Sequence, residues 1–412
     1  MNTLQRTALL SPFLTLTILS LPPSSTLRKA LYPLPALLFL HPIVSPPKFL
    51  STDKEAVEEA FKLGTLSASF AFMFTYFLYS GYNTPSNFYK VPRGKEGYPD
   101  TIWGRVKWSL SLITALRGVG WNFEVSNLPR RVGTREGCIR RAIAAILGAH
   151  GAWYAAGKLC GAYARLLRDE HAAEKYGVVY KVFGNILVQM GVVSAAWGVR
   201  NIAFVVLVSS SLELFFVASG VGGERWSDPG NWVRMFGYPQ DCWSVKNVWG
   251  RVWHQSIRRC IQFPGDKIAS VIFGKEYKSL PQPAKAARAF FLLLSAFSIS
   301  GLIHVSGSYF IVAGMDSPPP STDQWYYTFY FFIAQAIFVA MEEVVCYALG
   351  VGNTPQEVRV GGLRWMVGVV YTTMWFCWCT PVLWADPESR VVGFVGGVGE
   401  EYAHVFDRID RF

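Results

Sequence analysis

Long apolar stretches, separated by short polar or basic segments, run through most of the chain. A bilayer core takes about 20 apolar residues in a helix, and these stretches lack the two-residue alternation of a membrane barrel. We therefore predict an all-α, polytopic transmembrane bundle of about eight to ten spans. The expected spans are residues 8–21, 31–45, 63–82, 142–164, 178–197, 202–220, 289–315, 325–350 and 363–385, and a shorter segment at 108–119 is expected to lie at the interface.

Prolines and small residues refine this assignment. Segment 8–21 also resembles the core of a signal peptide, but no small-x-small cleavage motif follows it, so a first membrane helix is preferred. Five prolines between residues 33 and 47 predict a kinked or short second span. We expect N-terminal helices and a linker over 1–60, the catalytic core over 61–385, and a polar tail over 386–412.

Composition agrees with a membrane protein. Of the 412 residues 51% are hydrophobic and only 16% are charged, which argues against a soluble domain. Segment 221–288 holds 11 Lys/Arg against 5 Asp/Glu and so supplies six of the eleven excess positive charges. These charges suit a cytoplasmic face, anionic lipid or a phosphate-bearing cosubstrate. The seven cysteines are scattered, and we predict no disulfide framework, no metal and no nucleic-acid partner.

His304 lies in the middle of the charge-free run 289–315. An ionisable side chain at that depth is costly and usually functional. The residues one turn away on the same helical face are small: Ser300, Gly301, Gly307 and Ser308. A face that admits a substrate and a close helix–helix contact both fit this pattern. The segment by itself leaves these two interpretations open.

A second constellation lies within the basic segment, at residues 247–262. As one helix it would place Arg251, His254, Gln255, Arg258 and Gln262 on a polar face, opposite Trp249, Val252, Trp253, Ile257 and Cys260. A plain membrane-surface helix fits this amphipathic pattern. It also fits a helix that folds back on the membrane core, with Arg251, Arg258 and Arg259 binding phosphate, for which the planar guanidinium is well suited.

Three motifs in this order resemble one family. Trp249-Gly-Arg251-Val-Trp253-His254, followed some fifty residues later by Gly301-Leu-Ile-His304, resembles the wax-synthase-like branch of the membrane-bound O-acyltransferases. Arg117-Gly-Val-Gly-Trp121-Asn122 is similar to an element of its fungal members, several of which acetylate hydroxyls of terpenoid or meroterpenoid products. The resemblance spans residues 60–385.

The resemblance implies that His304 is the catalytic histidine and that acetyl-CoA is the cosubstrate, with no permanently bound cofactor. The wider superfamily usually has Asn or Asp at the position of His254, and often has a Phe and a second Arg where this chain has Val248 and Val252. Substrate contacts are expected from Asn247, Trp249, Arg251, Trp253, Arg258, Arg259, Ser300, Gly301, Ser308, Arg117, Trp121 and Asn122.

The chemistry fits a histidine, which can take the hydroxyl proton of an alcohol as its oxygen attacks a thioester. The developing oxyanion needs a donor, and His254, Asn247 and Ser300 are candidates. We expect direct transfer without an acyl-enzyme, in a tunnel that acyl-CoA enters from the cytosol and a lipophilic alcohol from the bilayer. A long-chain acyl-CoA wax or sterol ester synthase is the alternative within the family.

A transporter is the rival from another class. Glu213, Glu342 and Glu343 would then be intramembrane carboxylates, and Glu342 and Glu343 could relay protons. The plainer interpretation pairs Glu342 and Glu343 with Arg364 or Arg359, or places them near an interface. The chain shows no internal repeat, which weakens the transporter interpretation. The expected location is the endoplasmic reticulum membrane, with membrane lipid as a further partner.

Overall fold

The structure is a computed structural model that describes residues 10–35, 37–38, 48, 54–81, 88–90, 98–129, 133–168, 171–316, 326–351 and 358–380. Its α-helices, in chain order, are α1 (Leu10–Ser20), α2 (Thr26–Leu31), α3 (Lys54–Gly81), α4 (Ile102–Ile113), α5 (Arg135–Arg168), α6 (Ala172–Tyr176), α7 (Val178–Phe183), α8 (Ile186–Ser219), α9 (Glu224–Ser227), α10 (Val245–Asn247), α11 (Arg258–Ile272), α12 (Gln282–Gly314), α13 (Tyr327–Ala348) and α14 (Leu363–Cys379). Short 3₁₀ turns lie at Pro229–Asn231, Pro239–Asp241 and Tyr277–Ser279, and a π-helical turn at Val248–Val252.

The all-helical membrane fold is confirmed. Within the described ranges, four helices are long and apolar enough to cross a bilayer: Glu59–Tyr79, Leu187–Ser219, Gln282–Gly314 and Tyr327–Ala348. The expected span at 142–164 lies within α5, and the start of the last one forms α14. Most of segment 31–45 and the whole tail 386–412 fall outside the described residues.

One boundary prediction is wrong. Residues 198–201 do not form a turn between two spans, because the chain runs through them as the single 34-residue helix α8. The polar side chains that suggested a turn find partners in or beside the helix. Asn201 Nδ2 donates to the carbonyl oxygen of Trp197 at 2.9 Å, and the guanidinium of Arg200 lies 4.5 Å from the ring centroid of Trp153. Both groups are therefore stabilised without breaking the helix.

The described chain divides into two compact units, each built from two stretches of sequence. The first unit combines Met1–Asn127 with Gln255–Met341, and the second combines Leu128–His254 with Glu342–Phe412. This division does not follow the expected division at residues 60 and 385, which stays a prediction.

An aromatic cluster forms the core of the first unit. Its members come from α1, α3, α4, the loop after α4 and α11, together with Phe88, and Phe77, Phe123 and Trp121 are among the buried rings. Trp108 lies edge-on to Trp121 at 5.6 Å between ring centroids. The segment expected at the interface thus packs its Trp108 and Leu112 into this core.

Glycines bring α3 and α12 together in the same unit. A Cβ on Gly64 would collide with the carbonyl oxygen of Ser306, and one on Gly307 would lie 2.6 Å from the ring of Phe61. Ser306 Oγ donates to the carbonyl oxygen of Gly64 at 3.0 Å. The two backbones therefore approach as closely as small residues permit, which is how membrane helices associate.

In the second unit α5 packs along α8 through buried polar contacts. Cys138 Sγ donates to Glu213 Oε1 at 2.9 Å. Arg135 donates to the carbonyl oxygens of Val217 and Ala218, each at 2.8 Å, and so caps the carboxyl end of α8. A basic group at this position also compensates the helix dipole.

We predict that Gly64→Ala destabilises the protein by about 1–3 kcal/mol, because the added methyl group meets backbone atoms that cannot yield. Gly157→Ala is the matched control, since nothing lies within 4 Å of its Cβ position, and alanine should there stabilise the helix by about 1 kcal/mol. Thermal unfolding of both variants in the same detergent measures the difference. Equal midpoints would contradict the close α3–α12 contact.

Candidate functional site

His304 lies on α12 in the first unit, with its ring stacked on Phe332 of α13. The ring centroids are 5.0 Å apart and the planes are inclined by 14°. The side chain is exposed, and the imidazole makes no hydrogen bond with any residue that the structure describes. A neutral imidazole with unused nitrogen atoms can accept a proton from a bound molecule.

His304 is exposed, although the other residues on the same helix face are packed. Gly301, Gly307, Ser308 and Ile311 share that face by helical spacing, and all four are buried. On one side of the histidine Gly301 abuts Phe329, with its Cβ position 2.8 Å from the ring, and on the other Gly307 abuts α3. The exposed histidine thus lies between two close helix contacts.

The small residues near His304 therefore have different surroundings. Gly301, predicted to contact substrate, lies in the contact with α13, and Gly307 lies in the contact with α3. Ser300 is half-buried on the same face as the imidazole, and Ser308 is fully buried one turn beyond it. Helix packing and an accessible histidine thus occur together on one face.

The expected continuous amphipathic helix over 247–262 is wrong. In the second unit α10 passes into the π-helical turn Val248–Val252, and Trp253 is extended at φ −64° and ψ 149°. The helical path resumes only at Arg258, where α11 begins in the first unit. The carbonyl oxygen of Val252, at the end of the π-helical turn, accepts the N–H of Gly237 at 2.8 Å. A side chain on Gly237 would collide with the backbone of this turn.

The residues of this segment have different surroundings. Asn247 is buried at 4% exposure. Arg251 Nε lies 3.4 Å from Asp241 Oδ2, and Trp249 packs against Phe376 of α14 at 6.1 Å between centroids. These contacts hold the segment in place, and all of them lie within the second unit.

His254 follows directly in the same unit. Its half-buried ring lies 5.4 Å from that of Trp253 and 6.2 Å from that of Phe236. Two aromatic neighbours of this kind fix the orientation of an imidazole. A substrate role for His254 stays a prediction.

Two adjacent arginines open α11 in the first unit. Arg259 donates through Nε and Nη2 to the carbonyl oxygens of Phe123 and Glu124, at 2.9 and 3.0 Å. Arg258 donates through Nη1 to Gln255 Oε1 at 2.9 Å. Burial, and then the neighbouring charge of Arg259, lower the pKa of Arg258. Burial thus disfavours the charged form of Arg258 relative to a guanidinium in water.

The glycine-rich loop after α4 is built by its own backbone. Gly118 and Gly120 have positive φ angles of 66° and 76°, and the carbonyl oxygen of Arg117 accepts the N–H of Val125 at 3.0 Å. The Asn122 side chain accepts the N–H of Tyr89 at 3.2 Å. Trp121 is 2% exposed in the aromatic cluster. The structure thus places Trp121 and Asn122 in contacts that shape the loop.

The three carboxylates considered for a transporter all have partners. Glu213 accepts from Cys138, Glu342 accepts the backbone N–H of Val245 at 2.9 Å, and Glu343 pairs with Lys246 at 2.8 Å. Pairing is the plainer of the two interpretations, and the expected pairing with Arg364 or Arg359 stays a prediction. Each acid therefore has a structural explanation.

Comparison with known proteins identifies the family. Residues 232–334 match the model of the membrane bound O-acyl transferase family. An acetyltransferase of Arthrobotrys oligospora is 38% identical over 408 residues, which cover 95% of this chain and 82% of the relative. The chain belongs to the membrane-bound O-acyltransferase family.

More distant relatives agree. An O-mevalon transferase of Aspergillus niger is 27% identical over 313 residues, 75% of this chain and 67% of the relative. An acetyltransferase of Rhodocybe pseudopiperita is 26% identical over 283 residues, 67% of this chain and 65% of the relative. No solved structure matches the chain significantly. This membrane-bound O-acyltransferase is therefore an acyl-transferring enzyme, and the transporter alternative is excluded.

Sequence reasoning missed residues that support the motifs in this O-acyltransferase. Phe332, which stacks on His304, was one aromatic residue among many in its span. Ser244 accepts the N–H of Asn247 at 3.1 Å as a helix cap, and a serine three residues before the motif could have indicated this. The sequence shows Glu342 as an acid in an apolar run, but it does not indicate the backbone partner Val245.

We predict that Trp121→Ala destabilises the enzyme by about 3–5 kcal/mol, because it leaves a large cavity in the aromatic cluster. Trp103→Ala on α4 is the matched control, since Trp103 is 73% exposed and its loss should leave the unfolding midpoint nearly unchanged. Thermal unfolding in detergent measures both. A direct substrate contact without a structural role would instead leave Trp121→Ala as stable as the control.

Proposed function

We propose that this enzyme transfers an acetyl group from acetyl-CoA to a hydroxyl of a lipophilic terpenoid or meroterpenoid alcohol, with His304 as the general base. The observation that carries the proposal is the exposed imidazole of His304 within an otherwise packed face of a membrane-spanning helix. The acetyltransferases among its relatives support the acetyl group. The position of His304 on an apolar membrane-spanning helix, beside Phe332, supports a lipophilic acceptor, which can partition into the bilayer.

In the proposed reaction an imidazole nitrogen of His304 takes the hydroxyl proton while the alcohol oxygen attacks the thioester carbonyl carbon. The carbon–sulfur bond then breaks, and the thiolate of CoA takes the proton back from the imidazolium. The products are an acetyl ester and CoA, and the histidine returns to its starting state. Ser300, half-buried on the same helix face, is the proposed donor to the oxyanion within this unit.

Arg258 is the proposed contact for a phosphate of acetyl-CoA. Its half-buried guanidinium lies beside a second cation, Arg259, and the pKa of Arg258 is lowered by burial. An anionic ligand would offset both costs. Arg259 has two of its N–H groups committed to backbone carbonyl oxygens, so we assign it a supporting role in holding the loop at Phe123 and Glu124.

The endoplasmic reticulum location stays a prediction, as does the acceptor. A long-chain acyl donor is the alternative within the family. Microsomes that contain the enzyme can be incubated with a panel of terpenoid alcohols and either radiolabelled acetyl-CoA or a long-chain acyl-CoA. The products then show which of the two acyl donors the enzyme uses. Transfer from the long-chain donor alone would overturn the acetyl assignment.

We predict that His304→Ala lowers kcat for acetyl transfer about 10²–10⁴-fold, the usual contribution of a general base, while membrane insertion is unchanged. His150→Ala on α5 is the matched control, since His150 is exposed and has no role in the proposed reaction. Single-turnover assays with equal amounts of folded enzyme measure the effect. A fully active His304→Ala enzyme would refute the general-base assignment.

We predict that Arg258→Ala raises KM for acetyl-CoA about tenfold or more and changes kcat little, because one charge-assisted hydrogen bond contributes about 1.5–3 kcal/mol. Lys275→Ala is the control, being an exposed basic residue beyond the end of α11. Initial rates at varied acetyl-CoA and alcohol concentrations give both constants. A rise confined to KM for the alcohol would contradict phosphate binding.

A further inference from the structure

Arg288 is a half-buried arginine of the first unit, near the start of the membrane-spanning helix α12. The carbon of its guanidinium lies 4.1 Å from the ring centroid of Tyr277. The guanidinium makes no hydrogen bond with any residue that the structure describes. Its Nε is covered by surrounding atoms, so a ligand would reach it through the Nη groups. The proposed reaction gives this side chain no role.

Stacking on Tyr277 occupies the face of the guanidinium and leaves its edge available. From that edge a planar guanidinium can donate two parallel hydrogen bonds to a phosphate group. Asp266 of α11 lies close enough for its charge to act on Arg288, but these two described side chains form no ion pair. Arg288 is therefore an oriented cation whose donors are unused by the described chain.

Two membrane-spanning helices place this arginine at the boundary of the bilayer. On α12 no Asp, Glu, Lys or Arg follows Arg288 before the helix ends at Gly314. The spanning part of α3 ends at Tyr79, and Lys267 Nζ of α11 lies 5.3 Å from the ring centroid of Tyr79. Aromatic and basic side chains of this kind collect at the level of the lipid headgroups.

Apolar side chains close to these cations in the chain are exposed. On the last turns of α11 Ile268, Val271 and Ile272 are 50%, 85% and 60% exposed, and Phe290 of α12 is 43% exposed. Exposed apolar residues together with basic ones are typical of a surface that meets lipid. A free phosphate would leave these side chains uncovered, whereas the acyl chains of a phospholipid would cover them.

We propose that Arg288 binds the phosphate of an anionic phospholipid, whose acyl chains cover the exposed apolar side chains at the end of α11. Lys285 lies one helical turn before Arg288 on the same face of α12. The two cations favour an anionic headgroup, because a zwitterionic one would bring a further positive charge beside them. The site is separate from Arg258 at the start of α11, and it does not depend on the proposed acetyl transfer.

The experiment titrates full-length enzyme, purified in detergent, with dioctanoyl phosphatidylinositol. The rise in the unfolding midpoint gives an apparent Kd, because a ligand that binds the native protein stabilises it. We expect Arg288→Gln to weaken lipid binding about tenfold or more, the effect of losing one charge-assisted hydrogen bond. Lys275→Ala is the matched control, since Lys275 is an exposed cation in the loop between α11 and α12, and it should bind as the wild type does.

Two further ligands separate the contributions of phosphate, headgroup and acyl chains. Glycerol 3-phosphate has the phosphate without acyl chains, and dioctanoyl phosphatidylcholine has the same chains with a zwitterionic headgroup. Both should bind more weakly than dioctanoyl phosphatidylinositol. Val271→Ser removes exposed apolar surface, so it should weaken binding of the lipid about threefold and leave binding of glycerol 3-phosphate unchanged.

Four results would overturn the proposal. They are wild-type lipid binding by Arg288→Gln, an equal loss in Lys275→Ala, glycerol 3-phosphate bound as tightly as the lipid, and phosphatidylcholine bound as tightly as phosphatidylinositol. The second of these would indicate diffuse attraction by the whole loop. Should Arg288→Gln not fold, Tyr277→Leu takes its place with the same expectation, because it removes the ring that orients the guanidinium.

Titration with acetyl-CoA tests the other source of phosphate on the same samples. Arg288→Gln should bind acetyl-CoA as the wild type does, since the proposed site belongs to lipid. A loss of acetyl-CoA affinity without a loss of lipid affinity would assign Arg288 to the cosubstrate and overturn the lipid site.

Discussion

A polar group in an apolar interior must have a partner, and this constraint governs the structure of the enzyme. Water is absent from the bilayer core, so an unpaired amide or charge there costs several kcal/mol. Arg200 lies over the ring of Trp153, Glu213 accepts from Cys138, and Arg135 caps the end of α8. Partners of this kind allow long helices to carry charged residues without breaking.

Against that background, His304 and Asn247 are two motif residues that each have a polar atom without a hydrogen bond to any described residue. His304 is accessible and bonded to no described residue, while Asn247 is buried with an unpaired amide donor. An acyltransferase must take a proton from an alcohol, and the imidazole of His304 has nitrogen atoms that can accept one. The same physical rule thus explains both the stable contacts and the proposed reactive ones.

Close helix packing gives His304 its surroundings. Gly301 and Gly307 let α13 and α3 approach α12 on either side of the histidine, and larger residues at those positions would push the helices apart. The packing and the chemical interpretations of this span are therefore complementary. The glycines set the distance between the helices, and the exposed histidine lies between the two contacts.

The apolar runs determine by themselves that the chain is a helical membrane protein, because length and hydrophobicity decide whether a helix can span a bilayer. The ordered motifs around His254 and His304 indicate the family, which the relatives confirm. The pattern of polar and apolar residues predicts the wrong local structure where polar side chains find partners elsewhere in the fold. Residues 198–201 look like a turn but lie within α8, and residues 247–262 look like one helix but divide at Trp253.

Only the tertiary structure decided which polar residues are engaged. Glu342 contacts Val245 almost a hundred residues earlier in the chain, and Arg259 contacts carbonyl oxygens more than a hundred residues away. Helical periodicity places side chains on a face, but it does not specify which distant backbone atoms meet that face. Partners of this kind follow from packing in three dimensions, because hydrogen bonds depend on distance in space and not on separation along the chain.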